Sequence, residues 1–263
     1  MTQILLPASV QNRVRQSFRR GLPSYHHAAV AQAQIAATLV QALRTAGAPA
    51  RFGQVLEFGC GTGHLTTQLL QHFTLDHLTL NDLVPDCAAA LHPILKQHSP
   101  SVTFQVGPIE TLPLPPALDL IVSASTVQWV QQPADLIGRL TQHLAPGGWL
   151  ALSGFGRAHF SELQALGGMA TAPSYLDPHD WRHILPAGLH IGALYSQTII
   201  LQFTDTLDLL RHLRLTGVNV NARNHWTRAR LASFDLRLRA GLPQGTPLTL
   251  SYQPVFLIAC KTG

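Results

Sequence analysis

The sequence predicts an α/β fold in which a mostly parallel β-sheet is covered by helices on both faces. Two observations support this prediction. Near-continuous apolar segments alternate with helical patterns from Gly53 to Phe155, and such alternation is typical of parallel strands that are buried on both faces. The first apolar segment also ends in the closely spaced glycines Gly59, Gly61 and Gly63, which is typical of a ligand-binding turn between a strand and a helix.

The core elements follow from the spacing of apolar residues between residues 51 and 156. Apolar runs predict strands, and apolar residues three and four positions apart predict helices. The last helix of this unit stops at Ala145-Pro146-Gly147-Gly148, because proline and glycine are poor helix formers. We expect strands up to 58 and at 78–82, 102–106, 118–123 and 149–155, with helices ending near 72 and spanning 85–98 and 133–144.

The N-terminal arm, Ser9 to Thr45, precedes this alternation and has two helical patterns. We expect the break between them at Gly21-Leu22-Pro23, since glycine and proline end helices. The arm either covers an edge of the fold or closes over a ligand site. His26 and His27 form the one adjacent histidine pair, and we expect them on a solvated helix face.

The C-terminal part also departs from the alternation. We expect residues 157–188 to be mainly helical, with Asp177 as an N-cap before Pro178. Two helical patterns within 205–239 predict an insertion that lies over the active-site end of the sheet, between two long strands. The strands are expected at 191–203 and 248–260, the second bent at Pro254, and the chain is expected to be a single domain with an arm (1–50), a cofactor-binding core (51–156) and a substrate-side region (157–263).

Composition narrows the function classes. The net charge of +5 and the pI near 9.6 favour an acidic partner, with scattered arginines as the alternative. The sequence lacks a Lys/Arg-rich run with interleaved aromatic residues, which is the pattern that predicts nucleic-acid binding. No apolar run approaches the roughly 18 residues of a membrane span. Three widely separated cysteines predict free thiols rather than a disulfide or metal site, and the cytoplasm is the expected location.

The glycine turn and the acidic residues near it predict a cofactor site. The third glycine follows the second by two positions, whereas the dinucleotide-binding fingerprint requires three. Asp82 ends the second strand 19 residues after Gly63, where such a unit places an acid that accepts hydrogen bonds from ribose hydroxyls. An N-cap or turn role is the alternative for Asp82.

With Glu57 two residues before the first glycine, this turn resembles motif I of the class I S-adenosylmethionine-dependent methyltransferases. The resemblance implies a Rossmann-like, mostly parallel seven-stranded sheet. The loop Gly107 to Pro113 is similar to the loop that edges the adenine, but Pro108 stands where many relatives carry an Asp. The adenine is therefore expected to lean on Ile109 and on apolar packing. By this resemblance the cofactor-binding residues are Glu57, Gly59, Cys60, Gly61, Gly63, Asp82, Leu83, Ile109, Glu110 and Ser123.

The arm resembles one family within that class. Phe18, Tyr25, Ala28 and Gln32 are similar to the arm of the malonyl-acyl-carrier-protein O-methyltransferases of biotin synthesis, and Arg211 to Asn219 and Leu248 to Tyr252 match two further segments of that family. The resemblance implies that Tyr25 is a catalytic residue and that Gln32 contacts the cofactor. Arg211 or Arg214, or Arg157 as a rival, would bind the free carboxylate of the substrate, because arginine pairs bidentately with carboxylates.

The resemblance also implies the reaction and the partner. The expected function is methyl transfer from S-adenosylmethionine to the free carboxylate of malonyl-acyl-carrier protein, an acidic protein substrate. One alternative is a methyltransferase for another small carboxylic acid or a quinone-like acceptor. The other is a non-catalytic module that binds the cofactor. Oligomeric state does not follow from the sequence.

Overall fold

The computed structural model describes residues 8–97, 100–166, 172–217, 227–243 and 245–263. Its helices are α1 Ala8–Ala28, α2 Val30–Thr45, α3 His64–His72, α4 Cys87–Leu95, α5 Pro133–His143, α6 Ser161–Gln164, α7 Pro178–Ile184, α8 Thr206–Leu215 and α9 Arg228–Leu238. Its strands are β1 Arg51–Phe58, β2 Thr74–Asp82, β3 Ser101–Val106, β4 Leu118–Ser123, β5 Leu144–Phe155, β6 Leu189–Ser196, β7 Ile199–Phe203, β8 Leu248–Tyr252 and β9 Pro254–Lys261. No helix within these ranges is long and apolar enough to cross a membrane.

A seven-stranded sheet in the order β3-β2-β1-β4-β5-β9-β6 forms the centre of the fold. The strands from β3 to β5 pair in parallel, and β9 runs antiparallel to both of its neighbours. The predicted mostly parallel seven-stranded sheet is therefore confirmed. The chain order reverses where β1 lies beside β4, and ligands of such sheets bind at the carboxyl ends of the strands at this point.

Helices bury apolar residues on both faces of the sheet, as predicted. On one face α2 contributes Leu39 and Leu43, which are fully buried in the same cluster as the apolar residues of α3. On the other face α5 contributes Leu136, Ile137 and Leu140. Both faces of the central parallel strands β1 and β4 are consequently buried, which explains their near-continuous apolar sequences.

The two long strands predicted near the C-terminus are each divided between two sheets. The first is broken at residues 197–198, so that β6 belongs to the central sheet and β7 to a two-stranded sheet with β8. The second is broken at Gln253, whose carbonyl accepts from Gly156 N–H at 2.9 Å instead of from a strand partner. Each stretch is predicted as one strand because apolar residues lie on both sides of the break, and the bend predicted at Pro254 lies directly beside the second break. The predicted helical insertion, α8 and α9, lies between β7 and β8.

The predicted break of the arm at Gly21-Leu22-Pro23 is wrong, because α1 continues to Ala28 and the chain turns at Ala29. Phe18 and Leu22 pack against the main core. Gly21 lies so close to the end of α8 that a Cβ atom there would be 3.2 Å from the carbonyl oxygen of Leu215. This packing offsets the cost of a proline inside a helix, about 3 kcal/mol.

The prediction that residues 157–188 are mainly helical is also wrong. Only the short helices α6 and α7 occur among the described residues of this segment, and residues 167–171 lie outside the described ranges. The segment is tied to β8 instead, since Phe160 N–H donates to the carbonyl of Ser251 at 2.8 Å and Glu162 accepts from Ser251 N–H at 3.0 Å. The predicted N-cap at Asp177 is confirmed, and it forms a capping box with Asp180.

Candidate active site

The glycine turn between β1 and α3 forms the floor of a cleft at the carboxyl edge of the sheet. Gly59, Gly61 and Gly63 all have positive φ angles, of 65°, 52° and 89°. A Cβ atom on Gly59 would lie 2.1 Å from Thr126 Oγ1, and one on Gly63 would lie 2.6 Å from side-chain atoms of α4. A Cβ atom on Gly61 would meet nothing within 4 Å. Gly61 therefore presents bare backbone to the cleft, where a ligand can approach the main chain closely.

Three residues predicted to bind the cofactor lie beneath this floor and support the turn. Cys60 is a buried thiol whose backbone N–H donates to the carbonyl of Asn81 at 3.0 Å. Ser123 donates through its hydroxyl to the carbonyl of Phe58 at 2.7 Å. Glu57 is fully buried and accepts from the Thr66 hydroxyl at 2.8 Å.

Burial is the main cause that raises the pKa of Glu57, to about 8, although the Thr66 hydroxyl opposes the shift. The carboxyl group is thus protonated at neutral pH. One of its oxygens, Oε1, has no hydrogen-bond partner among the described residues. A neutral acid at this position links the end of β1 to α3 without placing a charge under the cleft.

Asp82, at the end of β2, and Leu83 directly after it line the cleft wall. The carboxylate of Asp82 accepts from Gly61 N–H and from Val84 N–H, both at 2.9 Å. Burial is the main cause that raises its pKa, and these backbone donors oppose the shift. Asp82 therefore fixes the glycine turn at the wall of the cleft.

The loop after β3 forms the opposite wall, and Pro108, Ile109 and Glu110 all line the cleft. Arg139 of α5 holds this loop by donating to the carbonyl of Ile109 at 2.8 Å and to the carbonyl of Leu112. Burial raises the pKa of Glu110, an effect that the charge of Arg139 opposes. The loop therefore offers an apolar surface at Pro108 and Ile109, with one half-buried carboxyl group beside it.

One face of α1 closes the cleft from above. Arg15, Phe18, Leu22 and Tyr25 line it at helical spacing. Phe18 makes an edge contact with Trp129, with ring centroids 5.6 Å apart. The ion pair Arg19–Asp86, at 3.1 Å, connects the same helix to the loop after β2. The arm is therefore a lid over the cleft. Of the two alternatives for the arm, closing over a ligand site is observed rather than covering an edge of the fold.

The last turn of α1 is attached to the glycine turn by histidines. His26 is exposed, but its ring stacks on His64 at a centroid distance of 4.4 Å and its Nδ1 lies 3.2 Å from Thr62 Oγ1. The expectation that His26 lies on a solvated helix face omits these contacts with the glycine turn. Burial, and secondarily the neighbouring His26, lowers the pKa of His64 to about 4. Tyr25 is half-buried, and desolvation of its phenol is the main cause that raises the pKa of that group.

A second, smaller cavity of about 30 Å³ continues from the cleft. Phe18, Tyr25, Ser125 and Trp129 line both spaces. We name it the inner cavity and define it by its walls Tyr25, Gln32, Gln128, His159, Tyr175 and Tyr252. Gln32, predicted to contact the cofactor, lies in the wall of this inner cavity.

The three arginines predicted to bind a substrate carboxylate line neither space. Arg157 pairs with Asp180 and, at 3.4 Å, with Asp177, and its side chain is 60% exposed. Arg211 pairs with Asp208 and is 64% exposed. Arg214 is exposed on α8. Any substrate contact of these arginines is therefore made at the outer surface.

Sequence reasoning missed several residues that shape the site. Asn81 donates to the carbonyls of Gln105 and Gly107 and so joins β2 to the loop after β3. Its polar side chain directly before Asp82 was an available signal. Thr126 packs on Gly59, Arg139 holds the loop after β3 and His159 lines the inner cavity; nothing in their local sequence singles them out.

Comparisons with known proteins agree with this geometry. The family model described as a methyltransferase domain matches residues 55–148. The N-methyltransferase NodS of Bradyrhizobium japonicum, solved with S-adenosyl-L-homocysteine, superimposes with a TM-score of 0.54 at 17% identity and covers 95% of this chain and 100% of its own. The YcgJ protein of a Bacillus species gives a TM-score of 0.57 at 18% identity, over 86% of this chain and 98% of its own. At these identities the structural likeness shows the fold.

The sheet order, the glycine turn and the acid at the end of β2 define a class I S-adenosylmethionine-dependent methyltransferase. The bare backbone at Gly61 and the apolar wall at Ile109 fit that cofactor. Proteins named malonyl-[acyl-carrier protein] O-methyltransferase from Chlorobium luteolum and Porphyromonas gingivalis are 35% and 36% identical to this chain. The alignments cover 92% and 94% of this chain and the same shares of those proteins. The chain belongs to the family of these methyltransferases.

Proposed function

We propose that this chain methylates the free carboxylate of a malonyl group carried on an acyl-carrier protein, as a step of biotin synthesis. The names of the 31–36% identical relatives support this substrate. The observation that carries it in the structure is the inner cavity. It opens from the cofactor cleft beside Tyr25, and its size suits a small acceptor group rather than a ring system.

The residues of the cleft contact different parts of the cofactor. Asp82 accepts hydrogen bonds from the ribose hydroxyls, Leu83 and Ile109 pack against the adenine, and Gly61 allows close approach of the main chain. Glu110 stands at the edge of the adenine site. Tyr25 covers the methionine end, beside the entrance to the inner cavity. S-adenosylmethionine supplies an electrophilic methyl group when it is bound.

The chain's own contribution to the reaction is orientation. A malonyl carboxylate is already ionised at neutral pH, so the enzyme needs no general base. The desolvated phenol of Tyr25 has a raised pKa and stays neutral, so it acts as a hydrogen-bond donor and a wall. Holding the acceptor oxygen in line with the methyl group lowers the barrier by removing rotational and translational freedom before the reaction.

The carrier protein is proposed to be acidic and to approach along the arm and the insertion. Helix α9 has no buried residue and carries Arg228, Arg230 and Arg237. Arg211 and Arg214 on α8 are exposed as well. Positive charge on two neighbouring elements steers an acidic partner and accelerates its association, an effect that salt screens.

The test is transfer of labelled methyl groups from S-adenosylmethionine to malonyl-acyl-carrier protein. Acetyl-acyl-carrier protein lacks the free carboxylate, and free malonate lacks the carrier; both are run in parallel. We expect label only on the malonyl carrier. Equal turnover of free malonate would favour the small-acid alternative, and cofactor binding without turnover on any acceptor would favour the non-catalytic module.

A further inference from the structure

The inner cavity has a polar but uncharged lining. Among the residues that the structure describes, its polar walls are phenol, hydroxyl, amide and imidazole groups, and no Arg, Lys, Asp or Glu contributes to it. The arginines expected at the substrate lie at the outer surface. An acceptor oxygen that enters this cavity is therefore bound by neutral hydrogen-bond donors.

Three residues that line the inner cavity contain buried oxygens that have no partner among the described residues. They are Gln32 Oε1, Ser125 Oγ and Gln128 Oε1, and Gln32 is only 7% exposed. Ser125 also has a positive φ of 56°, a backbone conformation that costs a non-glycine residue free energy. Unsatisfied polar atoms and strained backbone are both concentrated at functional sites, which indicates that a ligand completes this cavity.

The position of the ring proton of His159, a residue in this lining, is fixed by a hydrogen bond to the backbone. Its Nδ1 accepts from the backbone N–H of Gln253 at 3.4 Å. Because a backbone N–H can only donate, Nδ1 carries no proton, and the proton of the neutral ring is on Nε2. The side chain is 3% exposed, and burial lowers its pKa to about 3. The ring is neutral at physiological pH.

The ring of His159 is also held rigidly. It is stacked between Phe155 and Phe160, with centroid distances of 3.9 Å and 3.8 Å. The preceding residue, Ala158, donates through its N–H to Gln253 Oε1 at 2.8 Å. Phe160 has a positive φ of 58°. The segment thus adopts a strained backbone conformation at the point where His159 lines the inner cavity.

We propose that His159 determines acceptor specificity by donating its Nε2–H to an oxygen of the malonyl carboxylate in the inner cavity. The proposal rests on the proposed function and names the part of the site that recognises the acceptor. A buried donor of this kind discriminates strongly, because an acceptor that lacks the matching oxygen leaves the donor unpaired.

The test compares His159→Phe, which keeps a stacked ring without the donor, with His159→Gln, which keeps an N–H donor. Removing a hydrogen bond to a charged group weakens binding by about ten- to hundred-fold. We expect His159→Phe to raise both the KM for malonyl-acyl-carrier protein and its Kd for the enzyme loaded with S-adenosylhomocysteine by this factor. The Kd of S-adenosylhomocysteine alone should stay within about two-fold of wild type, since His159 lies outside the cofactor cleft, and His159→Gln should recover part of the loss. His183→Gln, on the exposed face of α7, is the matched control.

A wild-type KM and Kd for the malonyl carrier in His159→Phe would overturn the proposal. So would a parallel loss of S-adenosylhomocysteine affinity and thermal stability in both variants, which indicates a purely structural role. If His159→Phe does not fold, His159→Met takes its place as the variant without a donor. The wild-type enzyme distinguishes a failure of this proposal from a failure of the proposed function. If the wild-type enzyme does not methylate the malonyl carrier, the proposed function itself is contradicted.

Discussion

Gly59 and Gly61 lie two residues apart in the same turn, and an alanine is expected to act mainly on folding at Gly59 and mainly on cofactor binding at Gly61. Both have positive φ, which costs an L-residue roughly 1–2 kcal/mol. At Gly59 the new Cβ would also lie 2.1 Å from Thr126 Oγ1 and 2.6 Å from Thr126 Cγ2. Overpacking of this kind costs typically about 1–3 kcal/mol. Gly59→Ala should therefore destabilise the fold by about 2–5 kcal/mol.

Gly61→Ala meets no protein atom within 4 Å, so its cost to folding is limited to the backbone term of roughly 1–2 kcal/mol. Its methyl group instead occupies the face where the cofactor approaches the main chain. We expect a marked loss of affinity for S-adenosylhomocysteine in a protein that is still folded.

Urea unfolding measures the first effect and calorimetric titration with S-adenosylhomocysteine measures the second. Thr126→Ala removes the two nearest clashing atoms and should restore part of the stability of Gly59→Ala, which makes the clash itself testable. The reasoning is refuted if Gly61→Ala binds the cofactor as wild type does, or if it is destabilised as much as Gly59→Ala.

Two further predictions concern the dependence of stability on pH. The folded-state pKa of Glu57 is raised to about 8. The stability that the protonated carboxyl contributes is therefore fully present below about pH 4.5 and is lost as pH rises towards 8. At pH 7 this loss lowers the free energy of unfolding by about 3 kcal/mol. Glu57→Gln keeps an acceptor for Thr66 and should be more stable than wild type in urea at pH 8, and an unchanged midpoint there would contradict the assigned pKa. The folded-state pKa of His159 is lowered to about 3, so stability is full above about pH 6.5 and falls as the unfolded chain takes up a proton below it. His159 alone should remove about 2 kcal/mol between pH 6.5 and 5. This contribution is best measured in the Glu57→Gln background, where the opposing carboxyl is absent. Adding His159→Phe should reduce the total loss between pH 6.5 and 5 by about 2 kcal/mol. The loss that remains includes His64 and His212, whose pKa values burial also lowers.

The central sheet was predictable because its signals are local. Apolar runs, the glycine turn and the terminal Asp82 each occupy a few consecutive residues, and the structure confirms the sheet and the position of Asp82. The same reasoning failed at Gly21-Leu22-Pro23, where close packing of Gly21 on α8 decides the outcome. It located the bend beside Pro254, but not the change of sheet that the chain makes at Gln253.

The site was only partly predictable for the same reason. The cleft residues Asp82, Leu83, Ile109 and Glu110 come from elements with recognisable sequence, and they lie together. His159 reaches the inner cavity only because residues 157–163 bind to β8. Glu162, for example, contacts Ser251, which lies 89 positions further along the chain. A single sequence contains no record of such a contact.

The most direct test of the account locates the methyl group after the reaction. Malonyl-acyl-carrier protein is incubated with the enzyme and S-adenosylmethionine, the pantetheine arm is released, and its mass spectrum is recorded. We expect a methyl ester on the terminal carboxyl of the malonyl group, with the side chains of the carrier unmodified. A methyl group on any other atom of the arm, or on the carrier protein itself, would contradict it.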